Sequence, residues 1–181
     1  SVISLAVSDV DRAAPRGTGS YKVGANYASG LLATKLAQEV GANEALYLDS
    51  KEARYIDEAG SANILICTKD GVLLTPKSDA ILPSITRRSI MTLAQGQLGM
   101  STQERPIDLR AEFSTFQEAA ACGTAAVLAP IGKIWFDGQW HEVGDAGSNV
   151  GPTMQQIYDL LVGIQRGELE DMHGWCHEVG I

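Results

Sequence analysis

The spacing of hydrophobic positions changes along the chain and predicts alternating strands and helices. Short runs of apolar residues predict strands, whereas apolar residues three or four positions apart predict helices. The predicted strands cover residues 2–7, 21–24, 45–48, 54–57, 63–68, 72–74, 101–107, 125–128 and 133–136, and the predicted helices cover residues 26–40, 85–97, 116–120 and 152–166. Asp70-Gly71 and Asp137-Gly138 predict tight turns between paired strands.

This succession of strands with interspersed helices predicts a mixed α+β or α/β fold around a curved sheet. A length of 181 residues suits one domain, and the sequence contains neither an internal repeat nor a low-complexity linker. We therefore expect residues 1–181 to form a single domain.

Composition and charge exclude several classes of function. The formal net charge of −8 argues against a surface for nucleic acid or for an anionic membrane. No apolar run approaches the roughly 20 residues that span a bilayer. The three cysteines are widely spaced, which indicates reduced thiols in a cytoplasmic protein. His173, Cys176 and His177 lack a second ligand pair at suitable spacing, so we expect no metal site.

One lysine is a candidate nucleophile. Lys22 follows the stretch Gly17-Thr18-Gly19 and lies between Tyr21 and Val23 at the end of a predicted strand. Partial burial at this place would favour the neutral amine, which attacks aldehydes. The alternative is a solvated lysine on a strand, and composition does not decide between the two.

Two further segments combine small or hydroxyl-bearing residues with a change of element, where ligand-facing backbone usually lies. Ile85 and Thr86 begin a predicted helix, whose free N–H groups can hold a phosphate; the alternative is an ordinary helix start with Ser84 as its cap. Thr124 and Ala125 lie at the entrance of a predicted strand, where a ligand can approach closely; the alternative is a tight bend under a packed neighbour.

A carboxylate is the last candidate. Glu58 lies between a predicted strand and the turn Ala59-Gly60-Ser61. If this carboxylate is buried it needs a cationic partner, and a protonated pyridine nitrogen would serve. The alternative is a solvated glutamate in a turn. Taken singly, none of these segments is decisive.

Taken in order, the segments resemble the long-form branched-chain amino-acid aminotransferases, which are fold-type IV pyridoxal 5′-phosphate (PLP) enzymes. The similarity lies in the motifs GTGSYKVGANYASGLLA, EAGSANIL, DAILPSITRRSI, CGTAAV and IQRGELEDMHGW, which together cover nearly the whole chain. The resemblance implies the large, PLP-binding carboxy-terminal domain of these enzymes, a curved sheet or pseudo-barrel flanked by helices. It also implies that the family's amino-terminal domain is missing from this chain.

The resemblance gives each candidate residue a role. Lys22 matches the lysine that bonds covalently to PLP and carries the proton between the substrate Cα and the cofactor. The cofactor-binding positions of the family are matched by Lys22, Tyr27, Glu58, Ile85, Thr86 and Thr124. Among them, Tyr27 would bond the phenolic oxygen and Glu58 the ring nitrogen, while the last three would bind the phosphate. The backbone around Thr124 and Ala125 matches the site for the substrate carboxylate.

The implied activity is transfer of an amino group from leucine, isoleucine or valine to 2-oxoglutarate, in a cytoplasmic homodimer. An alternative within the same fold is a PLP-dependent lyase acting on aminodeoxychorismate. An alternative of another class is a catalytically inactive fragment or dimerisation module.

The sequence also departs from the family's pattern. Ser84 stands where the family usually has glycine, and Ala119-Ala120-Ala121 replaces a common large aromatic residue. Ala126 and Ala129 stand where some members carry a redox Cys-x-x-Cys, so we expect no thiol switch.

Overall fold

The computed structural model of the chain describes residues 1–144 and 150–179. Its strands are β1 (Ile3–Val7), β2 (Glu44–Leu48), β3 (Ile56–Ala59), β4 (Ala62–Thr68), β5 (Leu73–Pro76), β6 (Thr102–Arg105), β7 (Phe116–Gly123), β8 (Val127–Phe136) and β9 (Gln139–Glu142). Its helices are α1 (Gly24–Ala28), α2 (Gly30–Glu39), α3 (Ile85–Gly96), α4 (Leu109–Glu112) and α5 (Pro152–Gln165), with a 3₁₀ turn at Phe113–Thr115.

The strands form a single sheet that closes partly on itself. Neighbouring strands follow the order β3-β2-β1-β8-β7-β4-β5-β6, β9 pairs with β8, and β3 also pairs with β4. That last pairing closes a ring of strands β3, β2, β1, β8, β7 and β4, which removes the free edges that an open sheet would have. β1 runs parallel to both of its neighbours, whereas the other pairs within the ring are antiparallel. The mixed α/β fold with a pseudo-barrel, predicted from the sequence, is confirmed.

Residues of the ring strands alternate between two packed layers, as the strand period requires. Ile64 and Ile66 of β4 belong to a cluster made mainly by alternate residues of the ring strands, which fills the barrel. Leu65 and Cys67, between and after them, pack with residues of α3 and α5 on the other face. A third cluster joins Ala33 and Ala37 of α2 to β1 and β2. Helices α2, α3 and α5 therefore cover the outside of the barrel.

The carboxylate of a strand residue fixes the start of α5. Glu118 of β7 accepts hydrogen bonds from the Thr153 N–H (3.1 Å) and from the Met154 N–H (2.8 Å). These amides belong to the first turn of the helix, which has no acceptors of its own and carries partial positive charge. Gly151 leaves room for this contact, because a Cβ there would lie 2.2 Å from Glu118 Oε2.

Among the described residues, no helix combines the length and the apolar character needed to cross a membrane.

Some of the predicted elements were wrong. Residues 116–120, predicted as helix, belong to strand β7, which is paired with β4 on one side and β8 on the other. Alanine has a high helix propensity, but the small side chains fit where both faces of a strand are covered, and the tertiary pairing overrides propensity. The two strands predicted at 125–128 and 133–136 are one long strand, β8.

Candidate active site

A buried amide side chain organises the loop that carries Lys22. Asn26 of α1 donates to the carbonyls of Thr18 (2.6 Å) and Tyr21 (2.8 Å), and its own Oδ1 accepts from the Thr18 hydroxyl (2.9 Å). The backbone is thereby wound into turns over residues 15–20, with Lys22 leading into the helix.

The strand predicted at residues 21–24 is therefore wrong. Of the two alternatives left open for Lys22, the structure has the exposed lysine rather than the partly buried one. The Lys22 side chain is exposed, and the neighbouring Tyr21 is 64% exposed. The amine is exposed at the end of a hydrogen-bonded loop and is not shielded by its sequence neighbours.

One cavity brings several of the predicted site residues together. Lys22, Tyr27, Thr124 and Ala125 line a cavity of about 600 Å³, together with Cys122 of β7. The barrel ring explains this convergence, because α1 follows the loop after β1 and the Thr124 turn joins β7 to β8, the strand beside β1.

The turn at Thr124 is the tip of a tight hairpin. Gly123 pairs with Val127, so the residues between them form the turn, and Thr124 and Ala125 are both exposed. Val127 has a φ of +59°, which is an uncommon conformation for a β-branched residue. The backbone is thus strained directly after a turn whose residues line the cavity, and strain of this kind concentrates at binding sites.

Glu58 is buried, as its candidate role requires. Its side chain is 3% exposed, and its Oε1 accepts from Asn63 Nδ2 (2.7 Å) and from the Leu82 N–H (2.8 Å). Its Oε2 lies 3.3 Å from Nη2 of Arg12, a cationic partner that sequence reasoning did not identify. Burial raises the pKa of Glu58 to about 7, against the opposing effects of the Arg12 charge and the Leu82 N–H.

The segment predicted to bind phosphate begins α3. Ser84 is the N-cap, and its hydroxyl accepts from the Arg87 N–H (3.2 Å). Ile85 and Thr86 are the first helical residues, whose N–H groups have no acceptor within the helix. Neither residue lines the cavity that holds Lys22; the link to the site runs through Leu82, whose N–H binds Glu58.

These positions can now be set beside known proteins. The family described as amino-transferase class IV matches residues 1–134 of the chain. The chain belongs to the class IV aminotransferases. The branched-chain-amino-acid aminotransferase of Haemophilus influenzae is 46% identical over 177 residues, which are 95% of this chain and 51% of that protein. The corresponding protein of Helicobacter pylori is 46% identical over 170 residues, 94% of this chain and 48% of that protein.

Solved structures of class IV aminotransferases have the same fold. The branched-chain amino acid aminotransferase from Escherichia coli superposes with a TM-score of 0.82 at 35% identity, covering 96% of this chain and 56% of that one. The PLP form of the enzyme from Thermobaculum terrenum gives a TM-score of 0.81 at 31% identity, covering 92% of this chain and 52% of that one. This class IV chain spans about half the length of the relatives it matches.

Sequence reasoning missed Arg12, Asn26 and Asn63, all of which hold the site together. Asn26 stands inside the KVGANY motif, so its place near Lys22 was a usable signal. Asn63 lies opposite Glu58 in the β3–β4 pair, which follows from the turn between those strands. Arg12 gave no signal, because its contact with Glu58 depends on the closed ring of strands rather than on local sequence.

Proposed function

We propose that the chain is the PLP-binding part of a branched-chain amino-acid transaminase. In this function an amino group passes from leucine, isoleucine or valine to 2-oxoglutarate. The observation that carries the proposal is the shared cavity of Lys22, Tyr27, Thr124 and Ala125. A relative supports the proposal as well, because the branched-chain-amino-acid aminotransferase of Haemophilus influenzae is 46% identical to this chain.

The residues present fit PLP. An exposed amine, Lys22, stands at a cavity large enough for a substrate bonded to a cofactor. Glu58 is a buried carboxylate of the kind that pairs with a protonated ring nitrogen. The start of α3 offers the free N–H groups of Ile85 and Thr86 to a phosphate.

Each residue would then have a defined role. When bound, PLP withdraws electrons from the substrate and so makes its Cα–H acidic. Lys22 would hold PLP through a covalent bond and would carry the substrate proton on its Nζ. Tyr27 donates to the phenolic oxygen, and Glu58 keeps the ring nitrogen protonated. Thr124 binds phosphate with its hydroxyl, and the backbone of Thr124 and Ala125 holds the substrate carboxylate.

The proposal extends to the assembly and setting of the protein. We take residues 1–181 as one PLP-binding domain of a cytoplasmic homodimer. Three exposed leucines of α2 support a contact with a second copy of the chain, because exposed apolar surface often marks an interaction site: Leu31 is 77% exposed, Leu32 52% and Leu36 41%.

Borohydride trapping tests the cofactor assignment. The chain is mixed with PLP, reduced and digested, and the peptide masses are mapped. We expect one adduct, on Lys22, that disappears in Lys22→Ala and persists in Lys35→Ala, a matched exposed lysine on α2. An adduct spread over several lysines, or its survival in Lys22→Ala, contradicts the assignment.

Activity assays test the substrate class. We expect leucine-dependent formation of glutamate from 2-oxoglutarate. Pyruvate release from aminodeoxychorismate without activity on leucine favours the lyase. A correct adduct at Lys22 without either activity identifies the chain as an inactive fragment.

A further inference from the structure

Arg12 is a buried cation that contacts three parts of the site at once. Its side chain is 6% exposed. Its Nη2 donates to the carbonyl of Gly19 (3.2 Å) and to the carbonyl of Ala80, and lies 3.3 Å from Glu58 Oε2. Gly19 belongs to the loop that carries Lys22, and Ala80 to the loop that leads into α3.

The two loops are in direct backbone contact beside Arg12. A Cβ at Gly19 would lie 2.7 Å from the Ala80 Cα and 2.7 Å from the Ala14 carbonyl oxygen. The Ser29 hydroxyl donates to the Arg12 carbonyl (3.0 Å) and so fixes the Arg12 backbone to the start of α2. The guanidinium therefore sits at a closely packed junction instead of on a mobile arm.

The positive charge of Arg12 also affects the ionisation of Glu58. A buried carboxylate without a cationic partner takes up a proton and becomes neutral. The other charged groups that act on Glu58 are Asp57, which opposes its ionisation, and Arg87, which favours it less than Arg12 does. Arg12 is thus the main source of positive charge for this carboxylate. The Cys122 thiol nearby adds no charge, because burial raises its pKa to about 12 and it stays neutral.

We propose that Arg12 is a positioning residue that favours the ionised form of Glu58 and holds the Lys22 loop against the loop before α3. The role toward PLP rests on the proposed function, since Glu58 and Lys22 are the groups that would meet the ring nitrogen and the aldehyde. The two tasks are separable: the charge acts on Glu58, whereas the hydrogen bonds to Gly19 and Ala80 hold the loops.

The first measurement follows the Glu58 carboxyl in the cofactor-free chain by carbon NMR during a pH titration. Its signal is assigned as the one missing from Glu58→Gln. In Arg12→Met the titration midpoint should rise by about 1–3 pH units, because an opposite charge at this distance is removed. Arg16→Met is the matched control; Arg16 is an exposed arginine of the same segment, and its loss should leave the midpoint in place.

The second measurement follows amide exchange in the Lys22 loop. The Gly19 and Tyr21 amides are protected by hydrogen bonds to Ala14 (3.1 Å) and Thr18 (3.0 Å). Arg12→Lys keeps the charge but lacks the planar fork, so exchange at these amides should quicken by at least about tenfold while the Glu58 midpoint stays near that of the native chain. Arg16→Met should change neither.

Unchanged exchange in Arg12→Lys overturns the loop-locking role, and an unchanged midpoint in Arg12→Met overturns the charge role. If Arg12→Met does not fold, Arg12→Ala in the presence of a stabilising osmolyte supplies the midpoint, and Arg12→Lys still decides the locking role. PLP binding is measured by absorbance, and Arg12→Met should weaken it at least about tenfold. If the native chain takes up no PLP, the proposed function fails, whereas the NMR and exchange results still decide the role of Arg12.

Discussion

Replacing Glu58 by glutamine should change how the stability of the chain depends on pH. Burial raises the pKa of Glu58 from 4.5 to about 7 in the folded chain. The folded state therefore holds this proton more tightly than the unfolded state does. The contribution of Glu58 to stability is complete below about pH 4.5 and is lost as the pH rises through about 7.

The size of the effect follows from the pKa difference. Each pKa unit corresponds to about 1.4 kcal/mol, so ionising Glu58 lowers the free energy of unfolding by about 3 kcal/mol across this range. Glu58→Gln cannot ionise and loses this dependence. It also leaves Arg12 without a carboxylate at every pH, as the protonated native side chain does below about pH 7. The change of the difference with pH, rather than its absolute value, is therefore the diagnostic quantity.

The assay is urea unfolding of the native chain and of Glu58→Gln from about pH 4 to about pH 9. The stability difference between them should shift by about 3 kcal/mol in favour of the variant as the pH rises. Asp57, whose pKa burial raises to about 6, titrates in both proteins, so most of its contribution is common to the two curves. Glu39→Gln, an exposed glutamate of α2, is the control and should give a curve parallel to that of the native chain. Parallel curves for Glu58→Gln would refute the reasoning.

Further predictions concern packing and thiol chemistry. Gly19→Ala should lower the free energy of unfolding by about 1–3 kcal/mol in urea titrations and reduce PLP trapping, because its Cβ meets backbone atoms, whereas Gly24→Ala, with nothing within 4 Å, should do neither. Glu118→Gln should destabilise the chain by about 1–2 kcal/mol at neutral pH, since α5 loses its anionic cap; equal urea midpoints would contradict this. A disulfide reagent at about pH 8 should react quickly with the exposed Cys176 and slowly with Cys122, whose pKa burial raises to about 12; quick labelling in Cys176→Ser would count against that assignment.

Local patterns predicted the elements whose hydrophobic spacing is regular. The helix predicted at residues 85–97 matches α3, Ile85–Gly96, and the turn at Asp137-Gly138 has the positive φ values of such turns, +51° and +77°. Strand β7 was missed because its run of alanines carries neither period, and only its pairing with β4 and β8 makes it a strand.

The residues of the candidate site likewise fall into those that the sequence predicted and those that it did not. The resemblance singled out Lys22, Tyr27 and Thr124, which the fold places on one cavity. The sequence left open whether Lys22 is buried or exposed, because the loop is shaped by Asn26 rather than by the residues beside the lysine. The pairing of Arg12 with Glu58 joins segments that meet only after the barrel closes, so no local pattern contains it.

Because Gly151 fits closely against Glu118, we expect substitutions at these two positions to depend on each other during evolution. A side chain at 151 needs the space that the carboxylate fills, and a shorter residue at 118 leaves the first amides of α5 without an acceptor. The effect of a substitution at either position on stability therefore depends on the residue at the other. In a library randomised at both positions, selection should retain glycine at 151 with glutamate at 118, or a larger residue at 151 with a smaller one at 118. The other combinations should be depleted.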